Sequence, residues 1–422
     1  MQPSSFASMT DLQAAVLADI SQDELVSRAH ASQKQYLGVI SPEVMMDTIN
    51  RSRKTFKPSS MFGYRLSSDI STIISVDDER TQAGLPAVGG DLFVTDAQGV
   101  CKNHVMHDES SARIAQAKIN GEKVIVFFGG STIMGVGARS PEFSIPALVE
   151  QILWLEHGIR AVCINRGISG SYSYEALTVL QSDSLLNPPD CVVFYDGWNC
   201  CHNLRWSTAF KDTGDKSGNV PIYPGMSLAQ IDHDTTLKDQ FNAKALLIRT
   251  LKLSVVSVFT IIANLIPNLS WRHFFRKVIN STVSLKRNIF GDIESATPKA
   301  GSTNRAQDSA RYYWHIHRLA QICCAHFDTQ FLTVLQPVMW WANKPLTANE
   351  KLYFEASQYA EVEHIAFCRA IIDQKPEKNF LDLSTAFENN SDELFIDSGH
   401  LNRQGNYLVA QKISQSLLEK LK

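Results

Sequence analysis

The chain is poor in cysteine, with eight in 422 residues, too few and too scattered for the disulfide framework of a small secreted scaffold. Cys200-Cys201 and Cys323-Cys324 are adjacent pairs, not the C-x-x-C spacing of a structural zinc site, so no metal is expected. A dominant charge sign is lacking too. Forty basic against 43 acidic side chains leave a net charge of −3, which argues against blanket binding to nucleic acid. The first thirty residues hold neither a basic start nor a long apolar run, so no secretory leader is read there and a cytoplasmic location is the expectation. One stretch, Leu253 to Leu269, is nearly all apolar, but Asn264, Pro267 and Asn268 interrupt it and it is short for a spanning helix. What remains is ordinary globular composition, 44% hydrophobic and 20% charged, which excludes wholesale disorder and fibrous repeats.

Along the chain, residues 1–118 read as an N-terminal extension. Helix starts at Asp11 to Leu17 and at Ser41 to Val44 precede short strands such as Ser71 to Val76 and Asp91 to Thr95. From Lys123 the pattern alternates. Apolar strands are predicted at Val124–Phe128, Ala161–Ile164, Cys191–Tyr195 and Phe331–Leu335, with helices at Pro141–Glu156, Tyr174–Leu186, Asn349–Asp373 and Gly405–Leu421. Continuous apolar strands between helices of ten or more residues call for a parallel sheet covered on both faces. That α/β body spans 119–205 and 310–422, and an insertion at 206–309 interrupts it. Within the insertion, residues 240–291 carry eight Lys/Arg and no Asp or Glu. A cap or an oligomer-contact helix pair is one expectation there; peripheral contact with an anionic membrane face is the other.

Polar residues gather after the predicted strands, where open α/β sheets place their sites. Gly129-Gly130-Ser131-Thr132 follows the first strand, Asn165 to Ser171 the second, Asp196-Gly197-Trp198-Asn199 the third, and Asp397-Ser398-Gly399-His400 stands before the last helix. Acyl transfer at neutral pH needs a hydroxyl, a base held in one tautomer, and donors for the developing oxyanion. Ser131 can be the hydroxyl, His400 the base and Asp397 its orienting acid. The Ser131 and Gly170 N–H groups and the Asn199 amide can be the donors. No metal or organic cofactor is required.

These four segments resemble the blocks of the SGNH (GDSL-like) hydrolases: a Gly-rich turn with the nucleophilic Ser, a Gly, a G-x-N and a D-x-x-H. They read here as Phe128-Gly129-Gly130-Ser131-Thr132, Gly170, Gly197-Trp198-Asn199 and Asp397-Ser398-Gly399-His400, in the family's order. The resemblance covers about 123–203 and 331–422. It implies a three-layer α/β/α flavodoxin-like fold and ester hydrolysis through an acyl-enzyme on Ser131. The implied substrate is an acylated carbohydrate or a lipid. Acyl transfer by the same residues, or a catalytically idle module that binds membrane or glycan, stays open. Gly-Gly-Ser-Thr stands where the family has Gly-Asp-Ser, and Gly167 competes with Gly170 for the second block. Other motifs fail at single positions. Ile133 breaks the G-x-S-x-G elbow, Val136-Gly137 stands where a phosphate loop needs Lys-Ser/Thr, and Ser140 holds the third glycine position of a dinucleotide turn.

His315, His317, Cys323, Cys324 and His326 lie in a helical stretch, Arg311 to Phe327, with apolar residues interleaved. Helix packing is the reading favoured over metal binding. Trp198, Trp340 and Trp341 divide between core packing and a platform for a sugar or acyl chain.

Overall fold

The computed structural model describes residues 6–28, 56–59, 63–66, 69–74, 89–181, 187–201, 302–356, 361–375 and 378–421. The chain divides into two units, 1–225 with 304–422, and 226–303. Residues 226–301 of the second unit, with the basic stretch 240–291, and the expected helix at Ser41 lie outside the described residues.

In chain order the first unit runs from helix α1 (Met9–Leu17) and α2 (22–28) to two short antiparallel pairs. The pairs are β1 (Phe56–Ser59) with β2 (Gly63–Leu66), and β3 (Ser71–Ile74) with β4 (Asp91–Val94). Next come α3 (Ser110–Ile119), β5 (Lys123–Gly129), α4 (Ser131–Met134), α5 (Ile145–Leu155), β6 (Ala161–Gly167), α6 (Ser173–Val179) and β7 (Cys191–Asp196). The second half holds α7 (Ser302–His326), β8 (Gln330–Leu335), α8 (Ala348–Ala356), α9 (Glu361–Asp373), β9 (Phe380–Asp382) and α10 (Arg403–Leu417).

The five strands β5 to β9 form one sheet in the order β6-β5-β7-β8-β9, parallel throughout. That is the flavodoxin-like winding, in which the strand order reverses between β5 and β7 and opens a crevice at their carboxyl ends. Alternation along β5 explains the three layers, because successive side chains point to opposite faces. Ile125 and Phe127 join one core with Leu12 and Val16 of α1, Leu148 and Ile152 of α5, and Val409 and Ile413 of α10. Val124, Val126 and Phe128 join the opposite core with Ala117 of α3, Leu177 of α6 and Ile316, Ala320 and Cys324 of α7. Residues from the stretch read as an extension thus share the main core. The fold is the three-layer α/β/α body that the strand pattern called for.

Several elements differ from expectation. The stretch from Pro141 opens with a single 3-10 turn, Pro141–Phe143, because Ser144 has extended backbone (ψ 152°) and α5 begins only after it. The stretch Asn349–Asp373 holds two helices, α8 and α9, rather than one. The last helix starts at Arg403, two residues before the expected Gly405, capped by the Asn402 side chain that accepts from Gly405 N. Helix α3 and strand β9 are additions. The eight cysteines are all free, and no helix among the described residues is long and apolar enough to cross a membrane.

Candidate active site

The crevice between β5 and β7 is where the Ser131 turn and the Asn199 turn meet. Strand β5 ends at Gly129, where a Cβ would overlap the Tyr195 carbonyl oxygen of β7, so the turn forms only with glycine there. Ser131 is the first residue of α4, a one-turn helix closed by Gly135 at φ +116°. Its amide is one of the helix-start N–H groups that have no intrahelical acceptor, and the residue is 7% exposed.

His400 reaches this point from the far end of the chain. The Ser131 hydroxyl donates to His400 Nε2 at 2.6 Å across a separation of 269 residues. On the other side of the ring, His400 Nδ1–H donates to Asp397 Oδ2 in a short contact. Asp397 Oδ1 accepts the backbone N–H groups of Gly399 (2.8 Å) and His400 (2.7 Å), so the carboxylate closes its own loop as well as orienting the imidazole. Burial pushes the Asp397 carboxyl upward. The His400 charge, the bond from its ring and the two backbone donors outweigh burial and hold it below the usual carboxylate range.

The loop that carries both residues is fixed at several points. Phe395 bridges Leu401, Ile396 N donates to His400 O at 3.0 Å, and Met339 N donates to Ser398 O at 2.9 Å. Glu350 of α8 accepts Leu394 N (3.0 Å) and Phe395 N (3.1 Å) on one oxygen and Lys344 Nζ (2.7 Å) on the other, with both side chains fully buried. A buried ion pair with its remaining lone pairs satisfied is costly to break from one side.

Asn199 lies on the turn after β7. Its side-chain Nδ2 donates to Ser171 O at 2.9 Å, which leaves the second amide hydrogen for another acceptor. A Cβ at Gly130 would overlap that same Nδ2, so the amide sits directly over the residue before Ser131. The two candidates for the second block differ clearly. Gly167 N already donates to Asn165 Oδ1 at 3.0 Å, and a Cβ there would strike the Met134 amide; its glycine serves the packing of β6 against α4. Gly170 has φ +76°, open space around it, and stands in an exposed turn closed by Ser171 N donating to Ile168 O at 3.0 Å. The Gly167 amide is thus already engaged, whereas Gly170 lies on an exposed turn.

Trp340 and Trp341 are corrections to the platform reading. Each is 7% exposed, the Trp341 indole N–H donates to Gln336 O at 2.9 Å, and Trp340 packs 4.3 Å from His364. Both rings fill a cluster with Tyr313, Phe367 and Ile371. Trp198 is half-buried and stands edge-on to His400, with centroids 5.2 Å apart and planes at 74°. It lies so close over Gly399 that a Cβ there would overlap the indole, so it shapes the wall beside His400. His317 and Cys324 are buried in packing, while His315 and His326 are exposed. Among the described residues no group of three or more His, Cys, Asp and Glu could hold a metal ion.

Two further buried carboxylates, Asp91 and Asp196, were given no role from the sequence. Asp91 of β4 accepts Gly137 N (2.9 Å) and Arg139 N (2.7 Å). Gly137, at φ +87°, lies so near the Leu401 carbonyl that no Cβ fits. The N-terminal strand thus braces the loop between Ser131 and the residue after His400. Burial pushes the Asp91 carboxyl up to about 6, against the pull of those two bonds and of the Arg139 and His400 charges. The second is Asp196, the last residue of β7. An Asp followed by Gly was the only local hint, and it reads equally well as a turn.

No family model matches the chain, and no curated protein sequence does. Among solved structures, the chain is similar to a lipase from a goat rumen metagenome, with TM-score 0.37 and 10% identity over 70% of this chain and 97% of that one. It is similar in fold to esterases and lipases. A lipolytic protein of the G-D-S-L family from Desulfitobacterium hafniense gives TM-score 0.33 and 11% identity over 70% and 99% of the two chains. An acetyl-xylooligosaccharide esterase from Geobacillus gives 0.35 and 13% over 71% and 94%. At these scores and identities, function has to be argued from the side chains.

Proposed function

We propose that this protein is a serine ester hydrolase working through an acyl-enzyme on Ser131. The observation that carries the reading is the continuous relay from Ser131 Oγ to His400 Nε2 (2.6 Å) and from His400 Nδ1 to Asp397, in a crevice that also holds the Asn199 amide. In the first half-reaction Ser131 Oγ attacks the ester carbonyl carbon and its proton passes to His400 Nε2. The carbonyl oxygen becomes an oxyanion facing the Ser131 and Gly170 N–H groups and the Asn199 side chain. Asp397 is ionised and pairs with the imidazolium as it forms. His400 then returns the proton to the departing alkoxide, which leaves as the alcohol. A water repeats the sequence, with His400 as base, and releases the carboxylic acid and free Ser131.

The substrate class that suits the chain is an O-acyl ester of a carbohydrate or a lipid. Transfer of the acyl group to a sugar hydroxyl would use the same residues, with the acceptor in place of water. A partly exposed Trp198 beside His400 supports an acceptor or leaving group with an apolar face.

The test is hydrolysis of p-nitrophenyl acetate and butyrate together with labelling by a fluorophosphonate. Wild type is expected to turn over and to be labelled on Ser131. Ser131→Ala is expected to be nearly dead, and Asn199→Ala to lose on the order of 10²–10³ in turnover. Unchanged rates in both variants would refute the proposal.

A further inference from the structure

Directly behind the turns that carry Gly170 and Asn199 lies a second set of Ser, Asp and His side chains that the mechanism above leaves unused. Asp196 ends β7, one residue before Gly197-Trp198-Asn199, and Ser173 opens α6, three residues after Gly170. The Ser173 hydroxyl donates to Asp196 Oδ2 at 2.5 Å, and the Tyr313 hydroxyl of α7 donates to Oδ1 at 2.7 Å. His317 of α7 places Nε2 3.2 Å from both Asp196 Oδ2 and Ser173 Oγ, and Nδ1 2.9 Å from Thr333 Oγ1 of β8. One proton assignment satisfies every atom: Nε2–H donates to the carboxylate, and the Thr333 hydroxyl donates to Nδ1.

These five residues are 2–3% exposed. Ser173 therefore meets no substrate, and its hydroxyl hydrogen is directed at the carboxylate rather than the imidazole, so it is not a second nucleophile. Cys200 Sγ, 3.0 Å from Ser173 Oγ, is buried; burial first, and the Asp196 charge after it, push its thiol up to about 12. It stays a neutral contact. A buried carboxylate with each oxygen met by a donor is rigid, because any displacement strands a polar group. Apolar packing of similar volume would hold the fold as well or better. The network's distinctive product is the spacing it sets. It ties the start of α6 to the end of β7, and so the Gly170 turn to the Asn199 turn. The Asn199–Ser171 bond is the second tie between the same two turns.

We propose, on the basis of the ester hydrolase reading, that Ser173, Asp196 and His317 are positioning residues. They set the distance between the Gly170 amide and the Asn199 side chain, and so the fit of the oxyanion. None of them touches substrate. Their effect passes through Asn199, and that is what separates positioning from general stability.

The experiment is a double-mutant cycle on the full chain, read as kcat and KM for p-nitrophenyl butyrate with a melting curve for every variant. Ser173→Ala and Tyr313→Phe each delete one donor to Asp196. On the wild-type background each is expected to lower kcat about tenfold with KM within about twofold. On the Asn199→Ala background the same substitutions are expected to cost less than about twofold, because the donor they position is gone. Ser173→Thr, which keeps the hydroxyl, is expected to recover most of the rate. Equal losses on both backgrounds, or no loss on wild type, would overturn the proposal. So would failure of both substitutions to fold, which would assign the network to stability alone. If wild type neither hydrolyses the ester nor reacts with a fluorophosphonate at Ser131, the hydrolase reading fails and the proposal falls with it. An active wild type with additive losses sinks only the positioning role.

Discussion

Gly130→Ala tests the site geometry more sharply than removal of a catalytic group. Gly130 has φ −82° and ψ −154°, backbone that alanine adopts without strain, so the substitution is not a test of glycine's conformational freedom. The obstacle is steric. The new methyl would occupy the place of Asn199 Nδ2, which its 2.9 Å bond to Ser171 O holds there. The least costly relief is rotation of the Asn199 side chain, which breaks that bond and turns the amide away from the nucleophile. Ser131, His400 and Asp397 keep their relay. The expected result is therefore the loss of one oxyanion donor, on the order of 10²–10³ in kcat or about 2.7–4 kcal/mol of transition-state stabilisation, with KM little changed. The melting temperature should move by only a few degrees, since about 1 kcal/mol is at stake in the fold. Two controls bracket the number. Gly170→Ala meets open space but must hold φ +76°, so it should cost stability of about 1–2 kcal/mol while its amide stays in place. Gly130→Ala combined with Asn199→Ala should be no slower than Asn199→Ala alone. If Gly130→Ala turns over within about threefold of wild type while Asn199→Ala is crippled, the amide does not sit where the structure puts it.

Two further outcomes follow from the buried carboxylates. Asp91, raised from 3.8 to about 6, binds more protons in the fold than in the unfolded chain between those values, so stability falls as pH rises through that window. The full cost, roughly 3 kcal/mol, is reached above about pH 6. Relative to Asp91→Asn, which does not titrate there, wild type is expected to lose stability between pH 4 and pH 7 in urea melts. Parallel curves for the two proteins would exclude Asp91 as the titrating group. Glu350→Ala should destabilise the fold by about 3–5 kcal/mol, because it strands the buried Lys344 ammonium and the Leu394 and Phe395 amides. Glu350→Ala with Lys344→Met should recover much of that loss in the same denaturation assay. A double variant no more stable than the single one would show that the backbone bonds, not the stranded charge, set the cost.

How far the sequence could be read depended on whether a residue's role left a periodic or local mark. Strands β5 and β7 hold continuous apolar runs, and β8 one broken only by Thr333, because both faces are covered, and that pattern is visible without neighbours. Ser131, Asn199, Asp397 and His400 were legible for a related reason: each sits on a short turn next to a strand or helix end, with its glycine beside it. Helix α3 and strand β9 were not, since SSARIAQAKI mixes polar and apolar residues without a long apolar run and FLD is three half-buried residues. That Gly167 is wedged against Met134 is visible only in three dimensions. Trp340 and Trp341 were left divided because an aromatic pair after a strand looks the same in sequence whether it faces a cleft or a core. The deepest gap is polar. Asp91 reaches its partners across 46 and 48 residues, and Ser173 meets His317 across 144. No periodicity encodes such pairs, because a buried polar side chain interrupts the apolar pattern instead of extending it. Yet these interruptions brace the loops around Ser131 and Asn199. Positions where the core pattern breaks for no local reason are therefore where the residues that hold an active site in register should be sought.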